Sequence, residues 1–342
     1  MPESPTEGRR VGTVVVAYPW NADDAMLEPL RTQLPGLDVV VAPYYGKFAH
    51  HGPGVSDTLS DDERAMWAKA EVTIALDVPK GIAEVAPNLR WIQAIGAGID
   101  HLLDADLPAE ITVTNAAGVA AAPIAEFAIG RLLAVWKRFG ELDEQQRNRD
   151  WKPMFGRLAE GQTLGVIGLG AIGSAVAVRA RALGMPTIGT RRSYQPGDTH
   201  PAVDELKGAG DLHDVLGRCD AVVVSAPGTA DTENLFDAAA FAAMKPGAIF
   251  CNVGRGSLVD EGALIAALES GHLGAAILDV ARNEPMPADD PLWDAPNIYI
   301  SPHCSTSQDR YNDKLLDLFA DNLARYSRGD DLRNVVDLTA GY

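Results

Sequence analysis

Residues 163–173 read TLGVIGLGAIG, and this stretch carries the strongest structural signal in the chain. An apolar run leads directly into Gly168, Gly170 and Gly173, and the helical stretch 174–183 follows. Between a strand and a helix, the first glycine permits the tight turn, the second lets a pyrophosphate approach the backbone, and the third lets the helix pack on the strand. The N–H groups that begin such a helix bind the anion. The stretch predicts a dinucleotide-binding unit, and the alternative is a tight turn without a ligand.

The end of the next predicted strand indicates which coenzyme is bound. In an NAD-binding unit, an Asp or Glu at this strand end accepts a hydrogen bond from the ribose 2′-hydroxyl. Here the residues are Thr190, Arg191, Arg192 and Ser193. Two guanidinium groups and two hydroxyls would donate hydrogen bonds to a 2′-phosphate, which an acid would repel. We expect NADP(H) to be preferred and NAD(H) to be possible, unless the arginines are only solvated surface residues.

Short β-branched runs alternate with helical stretches on both sides of the glycine-rich turn, which is the pattern of βαβ units and a parallel sheet. They form two series, which a predicted amphipathic helix over 122–138 joins. The last predicted helix, 306–327, stops at Gly329 and would fold back onto the first series. The predicted strands are 11–17, 37–42, 72–76 and 89–95 in the first series, and 163–167, 187–190, 221–225, 248–253, 275–280 and 298–301 in the second.

The composition is that of an ordinary globular protein of about two domains. The 342 residues carry a net charge of −18, which repels nucleic acid and anionic membrane surfaces. The first ten residues are polar, and the apolar run 11–20 after them is too short, and too soon followed by Asp23 and Asp24, for a signal core or a spanning helix, so we expect a cytoplasmic location. Cys219, Cys251 and Cys304 form no CxxC pair, which favours free thiols, and no cluster has metal-ligand spacing.

Three side chains at strand ends of the second series suit the reduction of a 2-oxoacid. Arg255 follows the strand 248–253, Glu284 lies in the loop after the strand 275–280, and His303 follows the last strand. The reaction needs a nicotinamide, a cation that orients the carboxylate and polarises the carbonyl, and an acid that protonates the alkoxide. Taken singly, such an arginine is more often part of a surface ion pair, and such a histidine more often a satisfied buried residue.

Several motifs together resemble the D-isomer-specific 2-hydroxyacid dehydrogenase family, the group that includes glyoxylate/hydroxypyruvate reductases. The resemblance covers nearly the whole chain, and the order and spacing of the motifs make it specific. The matching segments are WIQAIGAGIDHL (91–102), NAAGVAAAPIAEF (115–127), GVIGLGAIG (165–173), VVSAPGTADTENL (223–235), FCNVGRGSLVDEGAL (250–264), LDVARNEPMPADDPLW (278–293) and SPH (301–303).

The resemblance implies a role for each matching residue. His303 would be the general acid, Glu284 would orient its ring and stabilise the imidazolium, and Arg255 would bind the 2-oxoacid. The N–H groups of Ala97, Gly98 and Ile99 would bind the substrate carboxylate. The implied coenzyme-binding residues are Gly168, Gly170, Ala171, Ile172, Gly173, the run 190–193, Ala226, Pro227, Thr232, Val253, Gly254, Asp279, which would receive the nicotinamide carboxamide, and His303.

The resemblance also implies the architecture, which is two α/β domains with parallel sheets, Rossmann-like and flavodoxin-like, separated by a cleft. Residues 1–117 and 304–342 would form the flavodoxin-like substrate domain, and 118–303 the Rossmann domain. The segment 118–158, with its helix and the arm 151–158, would form a two-fold homodimer.

Other interpretations remain open at this stage. The chain could be a coenzyme-sensing interaction protein on the same fold, as in the family's corepressor branch. The formate and phosphite dehydrogenase branches need a Gln near position 284 and a Lys in the turn 96–99, and neither is present. Cys304, where the family often has a small apolar residue, is expected to be a packing residue. The candidate substrate-facing residues are Tyr44, Tyr45, His50, His51, Met286 and Trp293, and packing in the core is the alternative for Met286 and Trp293.

Overall fold

A computed structural model describes residues 11–17, 24–33, 36–42, 59–99, 102, 105–307 and 309–339. The predicted substrate-facing residues Tyr44, Tyr45, His50 and His51 lie outside these ranges. The chain divides into two compact units, Met1–Val119 with Gln308–Tyr342 as the first and Ala120–Ser307 as the second. The divisions therefore fall at 119/120 and 307/308, a few residues beyond the predicted 117/118 and 303/304.

The first unit contains a five-stranded parallel sheet in the order β2-β1-β3-β4-β5. Its strand β5 was not predicted, because three residues at a sheet edge carry no apolar run long enough to detect. The strands are β1 (Thr13–Ala17), β2 (Asp38–Val41), β3 (Ala70–Ala75), β4 (Trp91–Ala94) and β5 (Thr112–Thr114). The helices are α1 (Asp24–Gln33), α2 (Asp61–Trp67), α3 (Ile82–Val85) and α10 (Tyr311–Arg328).

The second unit contains a seven-stranded parallel sheet in the order β12-β11-β10-β9-β6-β7-β8. The six predicted strands are present, and the edge strand β8 is an addition that its polar sequence, ELKG, concealed. The strands are β6 (Leu164–Ile167), β7 (Thr187–Arg191), β8 (Glu205–Gly208), β9 (Ala221–Val224), β10 (Ala248–Asn252), β11 (Leu273–Leu278) and β12 (Ile298–Ile300).

Helices cover both faces of this sheet, and two apolar clusters lie between them and the strands. Burial on both faces explains why β6, β9 and β10 read as continuous apolar runs rather than alternating ones. The helices are α4 (Ala121–Trp136), α5 (Phe139–Asn148), α6 (Ala171–Ala182), α7 (Leu212–Arg218), α8 (Ala238–Ala243) and α9 (Glu261–Glu269). The fold class, two parallel-sheet α/β units, is confirmed.

Two predicted helix boundaries were wrong for the same backbone reason. The helix predicted over 122–138 ends at Trp136, and α5 starts anew at Phe139, because Arg138 has φ 60° and interrupts the hydrogen-bonded turns. The last helix, predicted from 306, begins only at Tyr311 because Arg310 is also left-handed, with φ 57°. It ends at Gly329 with φ 74°, as the sequence predicted.

Helix α10 packs in the apolar core of the first unit, beside α1. Its stripe of Leu315, Leu316, Phe319 and Leu323 is buried there. None of the described helices is both long enough and apolar enough to cross a membrane.

Candidate active site

The glycine-rich turn after β6 is closed to side chains at two positions. Gly168 has φ 96°, and a Cβ built there would lie 2.8 Å from the backbone nitrogen of Ala226. A Cβ on Gly173 would lie 2.0 Å from the carbonyl oxygen of Gly168. Glycine is therefore required for the turn at the first position and for close packing of α6 at the other.

The same turn offers unpaired donors at the start of α6. Gly170 is the N-cap residue, no side chain caps the helix, and a Cβ at Gly170 would meet nothing within 4 Å. Within the described part of the chain, the N–H groups of residues 170–173 have no hydrogen-bond acceptor. An anion that approaches this open side can be bound by the first-turn N–H groups, so the turn fits a dinucleotide pyrophosphate.

The ends of β9 and β10 lie next to this turn. Gly254 packs against the segment after β9, since a Cβ on it would lie 2.8 Å from the carbonyl oxygen of Ala226. The hydroxyl of Thr232 donates to the carbonyl of Pro227 over 2.8 Å and fixes the loop shape. The N–H of Val253 donates to Val224. These predicted coenzyme residues therefore lie at the same edge of the sheet as the glycine turn.

The end of β7 brings the TRRS run to this edge as well. Thr190 pairs in register with Ile167, and its buried carbonyl accepts the N–H groups of Gly168 and Leu169. Thr190 therefore holds the glycine-rich turn through its backbone carbonyl. Arg191 is the last residue of β7, and its Nε donates to the Oγ of Ser193 over 2.9 Å. Arg192 and Ser193, which follow, are exposed.

Glu284 and His303 form an ion pair in which Nδ1 of the ring lies 2.8 Å from Oε2 of the carboxylate. The other oxygen, Oε1, accepts the N–H of Ala281 over 3.0 Å. The imidazole is 49% exposed and the carboxylate 24%. Burial by itself raises the pKa of Glu284. Three contacts lower it by more: the hydrogen bond and charge of His303, the N–H of Ala281 and the charge of Arg255. The pKa of Glu284 therefore lies below its usual value.

Asp279 fixes the loop that carries His303. Its carboxylate is 1% exposed and accepts the hydroxyl of Ser301 over 2.7 Å and the N–H groups of Cys304 and Ser305 over 3.0 and 3.1 Å. Its carbonyl accepts the N–H of His303, which has φ 49°. These four bonds offset the cost of a left-handed conformation in a residue with a Cβ. The sequence did not indicate this role for Asp279.

Arg255 lies in the turn after β10, which Asn252 braces. The buried Asn252 side chain donates from Nδ2 to the carbonyl of Arg255 over 2.8 Å and accepts the N–H of Gly254 over 3.0 Å. The guanidinium of Arg255 donates to the carbonyl of Gly254 over 2.9 Å. Asn252 was not among the predicted site residues. Its position three residues before an arginine that is flanked by two glycines could have indicated a side chain that holds the turn.

Arg282 connects the turn of Arg255 to the loop of Glu284. Its guanidinium donates to the carbonyl oxygens of Ser257 and Val259 over 3.1 and 2.8 Å and pairs with Glu233 over 2.6 Å. A Cβ on Gly256 would lie 2.0 Å from the carbonyl carbon of Ala281, so the two loops pack closely. The structure therefore brings Arg255, Glu284 and His303 together at one edge of the sheet.

The turn 96–99 of the first unit has its carbonyls paired at its start and its later N–H groups without a partner among the described residues. The carbonyls of Ile95, Gly96 and Ala97 accept hydrogen bonds from Tyr311 Oη, the Ala116 N–H and Asn115 Nδ2. The N–H groups of residues 97–99 have no acceptor among the described residues. Successive N–H groups of this kind form an anion-binding concavity.

The remaining candidates are placed as follows. Cys304 is exposed, so its prediction as a packing residue was wrong, while Cys219 and Cys251 are buried. Partial burial and the charge of Asp279 raise the pKa of the Cys304 thiol, which makes it a weaker nucleophile. Met286 packs on the apolar core, and Trp293 is half-exposed. Within the described ranges, no group of His, Cys, Asp or Glu is arranged to hold a metal ion.

Comparison with known proteins places the chain in a family. The model of the "D-isomer specific 2-hydroxyacid dehydrogenase, NAD binding domain" matches residues 129–305. Glyoxylate/hydroxypyruvate reductase B of Citrobacter koseri is 35% identical over 271 residues, which are 76% of this chain and 82% of that protein.

Solved structures agree with this match. A D-isomer-specific 2-hydroxyacid dehydrogenase from Xanthobacter autotrophicus, in complex with NADPH and MES, has a TM-score of 0.82 and 29% identity and covers 97% of this chain and 100% of its own. The NADPH-dependent glyoxylate/hydroxypyruvate reductase of Sinorhizobium meliloti, with NADP and sulfate, has a TM-score of 0.78 and 27% identity and covers 96% and 99%. The resemblance found in the motifs is confirmed: the chain belongs to the D-isomer-specific 2-hydroxyacid dehydrogenase family and is an oxidoreductase.

Proposed function

We propose that the protein reduces a small 2-oxoacid to the (R)-2-hydroxy acid, with NADPH preferred over NADH. The observation that carries this proposal is the 2.8 Å pair between the half-exposed imidazole of His303 and the carboxylate of Glu284. A ring held in this way keeps one nitrogen for its carboxylate partner and the other for a substrate, which suits a general acid.

His303 supplies the proton of the reaction. Its Nδ1 stays hydrogen-bonded to Glu284, so the proton that moves to the carbonyl oxygen comes from Nε2, and a neutral ring remains bonded to the carboxylate. When bound, NADPH supplies the hydride that the carbonyl carbon receives. Glu284, with its lowered pKa, is ionised at neutral pH and stabilises the charged ring.

Arg255 and the turn 96–99 bind the substrate. The guanidinium of Arg255 would orient the 2-oxoacid and polarise its carbonyl, and Asn252 holds the backbone from which it extends. The N–H groups of Ala97, Gly98 and Ile99 would bind the carboxylate. They have no acceptor among the described residues, and the carbonyls of Gly96 and Ala97, which share peptide planes with the first two, are already paired.

The coenzyme preference is inferred from the end of β7. Arg191 stands beside the glycine turn with its Nε paired to Ser193, and Arg192 follows on the exposed side. Guanidinium groups suit a phosphate ester and no acidic side chain stands at this strand end. Two structurally similar family members were solved with NADPH or NADP, which supports the same choice.

Coenzyme oxidation by a panel of 2-oxoacids tests the proposal. We expect glyoxylate, hydroxypyruvate, pyruvate, phenylpyruvate or a branched 2-oxoacid to be reduced, with a higher kcat/KM for NADPH than for NADH. Tight NADPH binding without turnover of any of these acids would contradict the proposal and favour a coenzyme-sensing interaction protein. A higher kcat/KM with NADH would contradict only the coenzyme preference.

A further inference from the structure

We propose that Asn115 is a positioning residue for substrate binding and that the C-terminal segment of the chain, through Asn334, holds it in place. Asn115 would fix the peptide between Ala97 and Gly98 in the turn 96–99, so that the N–H of Gly98 stays available to the carboxylate of a 2-oxoacid. The inference rests on the proposed function, since it concerns the turn that function assigns to the substrate.

Asn115 is the side chain that sets the direction of the Ala97 carbonyl. Its Nδ2 donates to the oxygen of Ala97 over 2.8 Å, and its Oδ1 accepts the N–H of Ala117 over 3.0 Å. The second bond defines which end of the amide is the oxygen, so Nδ2 must face Ala97. With this carbonyl drawn inward, the next N–H, that of Gly98, faces away from the bond, because the two groups of one peptide plane point in opposite directions.

The backbone of Asn115 is fixed from the other end of the chain. Its N–H donates to the carbonyl of Asn334 over 3.0 Å, and its carbonyl accepts Nδ2 of Asn334 over 3.1 Å. The same Nδ2 also donates to the carbonyl of Ala117 over 3.0 Å. Asn334 thus clamps both sides of Asn115, which is itself buried.

The C-terminal segment is anchored well enough to act as this clamp. The N–H of Val336 donates to Val113 over 2.9 Å, which adds a pairing beside β5. The buried Asn322 of α10 accepts the N–H of Arg333 over 2.7 Å and donates to its carbonyl over 3.0 Å. Further along α10 toward its start, Tyr311 donates to the carbonyl of Ile95. Residues remote in sequence therefore fix both ends of the turn.

This arrangement predicts a defect in substrate affinity rather than in coenzyme binding. Without the amide of Asn115, the Ala97 carbonyl loses its partner, and the peptide can rotate so that its oxygen faces the substrate carboxylate. Repulsion between that oxygen and the carboxylate would weaken binding of the acid. The coenzyme residues belong to the other unit and keep their own contacts.

The test compares Asn115→Ala and Asn334→Gly with Asn88→Ala. Asn334 has φ 57°, a conformation that glycine adopts without strain. Asn88 serves as the control because its Nδ2 also donates to a backbone carbonyl, that of Ala68 over 2.8 Å, away from the turn 96–99. For Asn115→Ala we expect KM for the 2-oxoacid and the inhibition constant of oxamate to rise about tenfold or more, and for Asn334→Gly a smaller rise in both. The NADPH dissociation constant should stay within about twofold in all three variants.

The outcomes separate the inference from the function on which it rests. A wild-type protein that reduces no 2-oxoacid would reject the proposed function. An active wild type, with a folded Asn115→Ala variant that keeps its KM and oxamate constant, would reject the inference alone. If Asn115→Ala does not fold, Asn334→Gly decides: an unchanged oxamate constant overturns the proposal. Equal losses in Asn88→Ala would overturn it as well, because the effect would then be a general loss of stability.

Discussion

The Glu284 and His303 pair shows how neighbouring side chains set the pKa of a carboxyl group. The pKa of Glu284 lies below its usual value because its contacts with His303, Ala281 and Arg255 outweigh the effect of burial. A carboxyl whose folded pKa is lowered stabilises the protein above its ordinary pKa, and this contribution is lost as the pH falls through the lowered value. The ionised carboxylate of Glu284 lies 2.8 Å from Nδ1 of His303 and would stabilise a positive charge on the ring.

Replacing Glu284 with Gln should move the pH profile of reduction. The amide carries no charge, so the imidazolium loses its stabilising partner, and the upper pH limit of kcat/KM should fall by about one pH unit. The measurement is the pH dependence of 2-oxoacid reduction beside the control Glu269→Gln, an exposed glutamate of α9. A profile that does not move would show that Glu284 has another role.

At this scale, sequence alone indicated three candidate catalytic residues but not the residues that hold them. Arg255, Glu284 and His303 stand in motifs whose order is readable. The side chains of Asn252, Asp279 and Asn115 form hydrogen bonds to segments that come close only after the loops have folded. A single polar residue at a strand end does not indicate which group it will bond. The left-handed φ of His303 was equally out of reach, because histidine adopts it more often than most residues with a side chain but still only at a small minority of positions.

The carboxyl ends of parallel strands organise the site at the scale of elements. Strands β6, β7, β9, β10 and β11 all end at one edge, so turns far apart in sequence contribute to one site. Apolar runs buried on both faces predicted these strands correctly. The edge strands β5 and β8 were not predicted because β5 is three residues long and β8 is polar. An edge strand pairs on one side only and can do so without a long apolar run.

The end of β7 yields a prediction about coenzyme choice. Arg191→Asp removes a guanidinium and places a carboxylate where a 2′-phosphate would lie, so the ratio of kcat/KM for NADPH over NADH should fall about tenfold or more. Arg179→Gln, on α6 and paired with Glu126, serves as the control. An unchanged ratio in Arg191→Asp would show that β7 does not end at the 2′-phosphate.

At the scale of the whole molecule, the arm 151–158 contains the two most exposed large apolar side chains among the residues that the structure describes. Trp151 is 99% exposed and Phe155 87%, and both follow the helices α4 and α5. Aromatic side chains of this size seldom remain in water when a partner surface is available. We propose, as the sequence suggested, that the arm binds a second copy of the chain in a two-fold dimer.

Light scattering tests this assembly. The wild type should have twice the mass of the 36.3 kDa chain, and the double variant Trp151→Ser, Phe155→Ser should shift toward the mass of one chain because it loses the apolar contact. Val178→Ser, which changes an exposed apolar side chain on α6, should leave the mass unchanged. A wild type with the mass of one chain, or a double variant that stays dimeric, would contradict the proposal.

The proposed function requires that the imidazole beside Glu284 donate the proton in carbonyl reduction. Single-turnover reduction of the best 2-oxoacid by the His303→Ala enzyme saturated with NADPH measures this step apart from binding. We expect a rate about 100-fold or more below wild type with NADPH affinity retained, while His272→Gln, directly before β11, keeps the wild-type rate. A His303→Ala enzyme that turns over at the wild-type rate would contradict it.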